Sequence, residues 1–423
     1  MLCLVATACL AACEGRLVIP EAIGPAPIVE VDAAFGEAPL SGFLHITPFA
    51  GSSGWRWSIQ GLGSEREEVT GVADSRISIP YRFETAGVHP IRVELVGPEG
   101  PVVLEKHVVV HDPATDFEII AQRPVREIWE AQPEGMTIDP TGRELYAAAY
   151  LSGELVRLDS GTLGVLDRLE LPVHRVQGLT VTPSGALLLS AHEKQGLSIV
   201  DLEEFEVLRQ TGPGRWFVRA LNEDHVLVTE SGAGRGDGLR RLDFAQWEIE
   251  ATAEDFIPGD FDVDPAGQRV AVVNYTTRSV DILEASFLTR ILSIFLEEYH
   301  LLYVAFDPRE EKLYATGVGP GSNGRFFVLD LTTGLVLESI SLGPAGSGYS
   351  YNPTATFAAG KYIAFDYAGS VVIVDTDLDL PRYRFEPQGS DVVLWTSVAA
   401  ISNSDFLYIL NGPEGSLWKI RVR

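Results

Sequence analysis

From residue 28 onward, apolar residues recur at every second position in short runs that Gly and Pro interrupt, and no long stretch carries them at helical spacing. Alternation of this kind turns one side of a segment toward a core and the other toward water, as in antiparallel strands. Six such runs fall between 28 and 111: IVEVDA from Ile28, GFLHITPF from Gly42, GWRWSIQG from Gly54, RISIPYRF from Arg76, PIRVELVG from Pro90 and VVLEKHVVV from Val102. They predict a small β-sandwich over 28–111.

Beyond it the pattern repeats about every 42 residues. Gly135–Gly142 reads GMTIDPTG and Gly178–Gly185 reads GLTVTPSG; Asp260–Gly267 (DFDVDPAG) and Tyr303–Pro308 (YVAFDP) follow the same scheme. The prolines stand at 140, 183, 265 and 308, with gaps of 43, 82 and 43. Each unit adds a second strand (Leu145-Tyr146-Ala147, Leu313-Tyr314-Ala315), a third that ends in aspartate (Asp159, Asp201, Asp243, Asp330, Asp375), and a turn into a fourth. Pro-x-Gly suits the first hairpin turn, Pro fixing φ and Gly supplying a positive φ. A four-stranded unit cannot cover both its faces alone, so the units are expected to stack radially over 112–423. Starts near 135, 178, 217, 260, 303, 354 and 397 predict an all-β chain with a seven-bladed β-propeller after the sandwich; the less regular middle and last units leave six or eight open. Phe117–Ile120 or Val125–Trp129 is expected to supply the last unit's fourth strand and close the ring.

Two resemblances follow. Gly36–Leu40, the tryptophan strand Trp55–Ile59 and Ala86–Val93 resemble the PKD family of immunoglobulin-like bacterial surface modules, although Gln60–Gly63 stands where that family has Gly-Asp-Gly, and His89-Pro90 where it has Tyr and Thr. This likeness implies a spacer or adhesion unit. The repeats resemble the YVTN-type and NHL-like propellers of bacterial surface and periplasmic proteins, which implies the fold but no one activity.

The chain opens on a short apolar run, Met1–Ala12, too short to span a bilayer and lacking a preceding Lys or Arg. It reads as a signal segment. Leu10-Ala11-Ala12-Cys13 resembles the lipobox of bacterial lipoproteins, which implies acylation of Cys13, residues 14–27 as a tether, and a cell-envelope address at the outer membrane, periplasm or surface. Cys3, Cys9 and Cys13 are the three cysteines, so no disulfide, thiol nucleophile or cysteine metal site is available after residue 13.

With 59 acidic against 32 basic residues the formal charge is −27, which repels phosphate backbones and argues against nucleic acid as a partner. The three aspartates of Asp260–Asp264 have EF-hand spelling, but Pro265 sits where that loop needs glycine, so no such site is expected. Loops at one end of the repeats gather polar and aromatic residues. Tyr150, His192, Glu230, Asp260, His300, Trp395 and Asn411 are the candidates for a ligand face, and Glu134, Asn274 and Asp366 the candidates for a divalent cation. No nucleophile elbow, zinc-protease motif or haem motif occurs, and no cofactor is implied. Two readings remain at this stage. One is an anchored, non-enzymatic protein that binds an envelope protein, peptide or glycan. The other is a metal-assisted hydrolase or lyase resembling the propeller lactonases.

Overall fold

The computed structural model describes residues 28–31, 34–47, 54–59, 68–69, 77–97, 100–112, 116–128, 133–172, 174–192, 196–211, 217–230, 238–244, 246, 248–254, 256–309, 312–344, 354–367, 370–385, 396–401, 403–411 and 415–423. Cys13, the lipobox, the tether and Trp395 lie outside them, as do the side chains of Gly54–Ile59, Glu134 and Glu230. The regular elements of the described residues are strands, apart from two short 3-10 turns at Val125–Glu127 and Pro320–Ser322.

The chain forms two compact units. The first lies within residues 1–107, and the second runs through 108–423 with two N-terminal pieces, 33–40 and 83–88. In the first, Ile28–Val31, Leu40–Thr47 and Ile77–Phe83 make one sheet, and Gly87–Gly97 pairs with Gly54–Ile59, which pairs with Glu68–Val69. Alternate residues Leu44 and Ile46, and Ile91, Val93 and Leu95, are buried, as the period-two pattern requires. Phe35–Glu37 pairs in parallel with Val109–His111, and the residues of this pairing fall within the second unit.

The second unit is a β-propeller. Among the described residues it contains seven consecutive four-stranded sheets, whose first strands are Pro133–Ile138, Val176–Val181, Val218–Ala220, Pro258–Val263, His300–Phe306, Thr354–Phe357 and Thr396–Ala400. Strands within a sheet are antiparallel neighbours in chain order, except in the seventh, where Phe117–Pro124 supplies the fourth strand against Ser416–Val422. The core is divided among the gaps between sheets. One cluster joins Leu145, Ala147 and Val156 of the first sheet to Tyr408, Leu410 and Leu417 of the seventh. Others join first to second, second to third, third to fourth, fourth to fifth and sixth to seventh. Between the fifth and sixth sheets Phe326 meets Phe365 edge to face at 6.1 Å, so each sheet packs apolar side chains against the next, and the last against the first.

Two turn devices recur. In the first hairpins Gly142, Gly185 and Gly267 take φ of 72°, 79° and 69°, the conformation that glycine adopts without cost. The acid before Pro caps the same turn: Asp139 accepts the N–H groups of Thr141 and Glu144, and Asp264 those of Gln268 and Arg269. At the third-to-fourth turn the strand-ending acid does likewise, Asp159 toward Thr162, Asp201 toward Glu203 and Glu204, and Asp330 toward Thr332 and Thr333. Asp139, Asp159, Asp201, Asp264 and Asp330 thus serve as turn caps.

Candidate functional site

First strands lie innermost in a propeller, so one edge of each has no ladder partner within its own sheet. Side chains from the preceding sheet satisfy several of the exposed N–H groups. Ser397 Oγ accepts Met136 N at 3.2 Å and Thr180 Oγ1 accepts Ala220 N at 3.2 Å. Asp260 and Asp262, two apart and so on one face, accept Val304 N at 3.2 Å and Phe306 N at 2.9 Å. A third sheet contributes Arg219, whose Nη2 stands 3.8 Å from Asp260 Oδ1. This cationic neighbour lowers the Asp260 pKa, but burial is the larger effect and pushes it up to about 7; burial raises Asp262 as well. Asp260, a candidate for the ligand face, is therefore a buried brace between the third, fourth and fifth sheets. The three aspartates that spell an EF-hand loop each hold backbone N–H groups.

The ends of the second strands form the other half of the candidate face. His192, Asn274, Asp366 and Asn411 are all buried, at 0, 1, 2 and 1% exposure. His192 Nε2 lies 3.0 Å from Ser198 Oγ across its own hairpin, and burial pushes the imidazole down to about 4. Asn274 donates Nδ2 to Asp281 Oδ2 at 2.8 Å and accepts Thr276 N and Thr277 N through Oδ1. Asp281 in turn accepts from Ser279 Oγ and pairs with Arg290 at 3.2 Å. Asp366 receives the hydroxyl of Tyr303 from the fifth sheet at 3.4 Å. Of the remaining candidates, Tyr150 is half-buried and accepts Arg175 N, while His300 is exposed and stacks on Tyr275 at 5.1 Å. Asn274 and Asp366, proposed as partners for a cation, belong to the fourth and sixth sheets, and the Asn274 amide is committed to its own hairpin.

Arg219, Ser198 and Asp281 complete these networks and were not singled out by sequence reasoning. Register is the signal that finds two of them: Ser198 pairs with Ser190 and Asp281 with Val272, partners that stand two residues before the candidate strand ends His192 and Asn274.

Chemically, this end of the wheel offers hydrogen-bonding groups on a rigid frame, with one carboxyl, Asp260, able to exchange a proton near neutrality. The described residues bring no nucleophile together with a base here.

Fold and site together define a β-propeller whose polar inner groups brace the ring. No family model matches the chain, and neither does any curated protein. Solved structures match it widely, in 1321 chains, which is why the likeness identifies an architecture and no single role. Hydrazine synthase of Kuenenia stuttgartiensis is similar at 18% identity and TM-score 0.56, over 66% of this chain and 92% of that one. The β-propeller domain of Cps50 (Swd1) from Myceliophteria thermophila is similar at 13% identity and TM-score 0.57, over 73% of this chain and all (100%) of that one.

Proposed function

We propose that this chain is an extracytoplasmic recognition or scaffold protein. Cys13 carries the lipid anchor, the N-terminal sheets space the propeller from the membrane, and a seven-bladed wheel presents its loops to an envelope protein, peptide or glycan. The observation that carries this reading is the fate of the polar strand ends. His192, Asn274, Asp260 and Asp366 each bond a hairpin or a neighbouring sheet, so the inner face contributes rigidity. A pre-organised frame lowers the ordering cost of binding through its loops.

Two measurements test it. Expression in a bacterium fed labelled palmitate is expected to label the wild-type chain and leave Cys13→Ser unlabelled. The purified chain applied to glycan and peptide arrays is expected to bind one chemical class saturably; silence on both arrays refutes recognition, whatever the anchor does.

A further inference from the structure

Because the sheets repeat, each is a control for the others, and the fourth departs from its siblings along its outer edge. The last strand of each sheet has no strand beyond it in its own sheet, which leaves one row of N–H and C=O groups open to another chain. Proteins guard such edges with charge, proline or a bulge. Every sheet here has the bulge, opposite the end of its third strand. Among the described residues, six of the seven outer strands also carry a carboxylate or a proline: Asp167, Glu206, Glu248, Glu338, Pro381 and Glu118. The outer strand of the fourth sheet, Arg290–Phe295, reads RILSIF and has neither. Its one charge, Arg290, pairs with the buried Asp281 at 3.2 Å.

Apolar surface stands where the guard is missing. Phe287, Ile291 and Phe295 are 73, 59 and 58% exposed, on the turn before the strand, at its bulge and at its end. Gly334 of the fifth sheet lies against this strand, since a Cβ there would stand 3.2 Å from Leu292 Cδ1, so the exposed Leu335 adds an apolar shoulder. Solvated apolar side chains grouped in this way mark an interaction surface. Leu296 N donates to Arg278 O at 2.9 Å, so by antiparallel alternation Leu292 and Ile294 bond inward, while Ser293 and Phe295 turn their N–H and C=O groups outward. Neither lipid nor an apolar helix face has backbone groups to meet these; an extended chain does. Glu297 and Glu298, both exposed, follow the strand in a molecule of formal charge −27. That charge repels a second copy and attracts a basic segment.

We propose that Arg290–Phe295 is a docking edge for an extended segment of another protein, apolar at alternate positions and flanked by Lys or Arg, which joins the fourth sheet as a fifth strand. Ser293 and Phe295 bond its backbone, Ile291, Phe295 and Leu335 meet its apolar side chains, and Glu297 and Glu298 meet its basic end. The outer strand is distinct from the loops through which the recognition role acts, so the two readings fail separately.

The test uses the full chain and a fluorescein-labelled peptide, Lys-Lys-Val-Ser-Val-Ser-Val-Ser-Lys-Lys, titrated at low salt. Saturable binding is expected, with hydrogen exchange slowed in Arg290–Phe295 and unchanged in Glu206–Thr211 of the second sheet. Ser293→Pro removes an outward N–H and leaves the inward ladder intact, so it is expected to keep the wild-type circular dichroism spectrum and Tm while weakening binding about tenfold or more. Phe295→Lys, which installs a guarding charge at an exposed side chain, should do the same. Replacing the peptide's lysines by glutamates should also weaken binding, by a factor that shrinks as salt is added. Absence of binding overturns the proposal, as does binding that Ser293→Pro and Phe295→Lys leave intact. So does a wild-type chain that sediments as a dimer and becomes monomeric in Phe295→Lys, because the edge then belongs to a second copy.

Discussion

His192 and Asp260 are buried ionisable groups that acid moves in opposite directions. Burial holds His192 at about 4 against an ordinary 6.5, so between those values the unfolded chain takes up a proton that the folded chain refuses. Its contribution to stability is complete above 6.5 and is lost as pH falls through 4. Asp260, held at about 7 against 3.8, keeps a proton that the unfolded chain releases; its contribution is complete below 3.8 and is lost as pH rises through 7. Over the shared window the two slopes offset one another. His192→Gln is expected to gain stability relative to wild type as pH drops from 6.5 to 4, by up to roughly 3 kcal/mol, since one pH unit corresponds to about 1.4 kcal/mol per proton. Asp260→Asn, which keeps an acceptor for Val304 N, is expected to lose a similar amount over the same range. Denaturant melts at several pH values measure both, and variant curves parallel to wild type would show that these groups do not titrate as described. Neither role was legible in the sequence. Period-two alternation says which face of a strand a residue occupies, but not that the strand's end is covered by its own hairpin or by the next sheet.

At the level of the hairpin, the two recurrent turns differ in how openly the sequence announces them. Pro-x-Gly marks the first turn because only glycine takes the required positive φ without strain, and the starts read from it fall within a few residues of the first strands. The third-to-fourth turn needs the same conformation four residues after the capping acid. There the residues are Leu163, Phe205, Leu288 and Asp379, with φ from 53° to 58°, and glycine only once, at Gly334. No turn signature reveals such positions, because burial rather than intrinsic preference holds them: Leu163, Phe205 and Leu288 all point into the gaps between sheets. Leu163→Gly separates the two contributions. Relief of left-handed strain is worth about 1–2 kcal/mol, whereas emptying a fully buried leucine site costs about 2–5 kcal/mol. A net loss of roughly 1–3 kcal/mol is therefore expected in urea unfolding. An increase in stability would mean that strain, not packing, dominates the turn.

Over the whole molecule, the forty-odd-residue repeat announced the wheel, since sheets that are apolar on both sides can be covered only by one another. The sequence also offered two candidates for the closing strand. Register decides between them: Phe117–Pro124 pairs along Ser416–Val422, and the Val125–Glu127 segment turns away as a 3-10 turn. This strand differs from every other fourth strand because it comes from the opposite end of the unit, so its pairing closes a loop of nearly the whole propeller, with Gln122 bonded to Ser416 across 294 residues. Breaking a fourth strand elsewhere should fray one outer edge, whereas breaking this one should release a long-range closure and expose the core shared by the seventh and first sheets. Replacing both Ile119 and Ile120 by proline isolates that effect. These side chains are exposed, so little burial is lost, while proline at Ile119 removes the N–H of a residue paired with Ile420 and its neighbour fixes the adjoining bulge. The same replacement at Leu208 and Arg209 in the second sheet is the comparison. Hydrogen exchange is expected to show protection lost at Ser416–Val422 and then across Glu144–Ala149 in the closure variant, with unfolding faster than wild type. In the comparison variant the loss should stay within the second sheet's outer strands. Equal, local fraying in both would mean that the ring is held by contacts between sheets alone and that the terminal strand is an ornament to it.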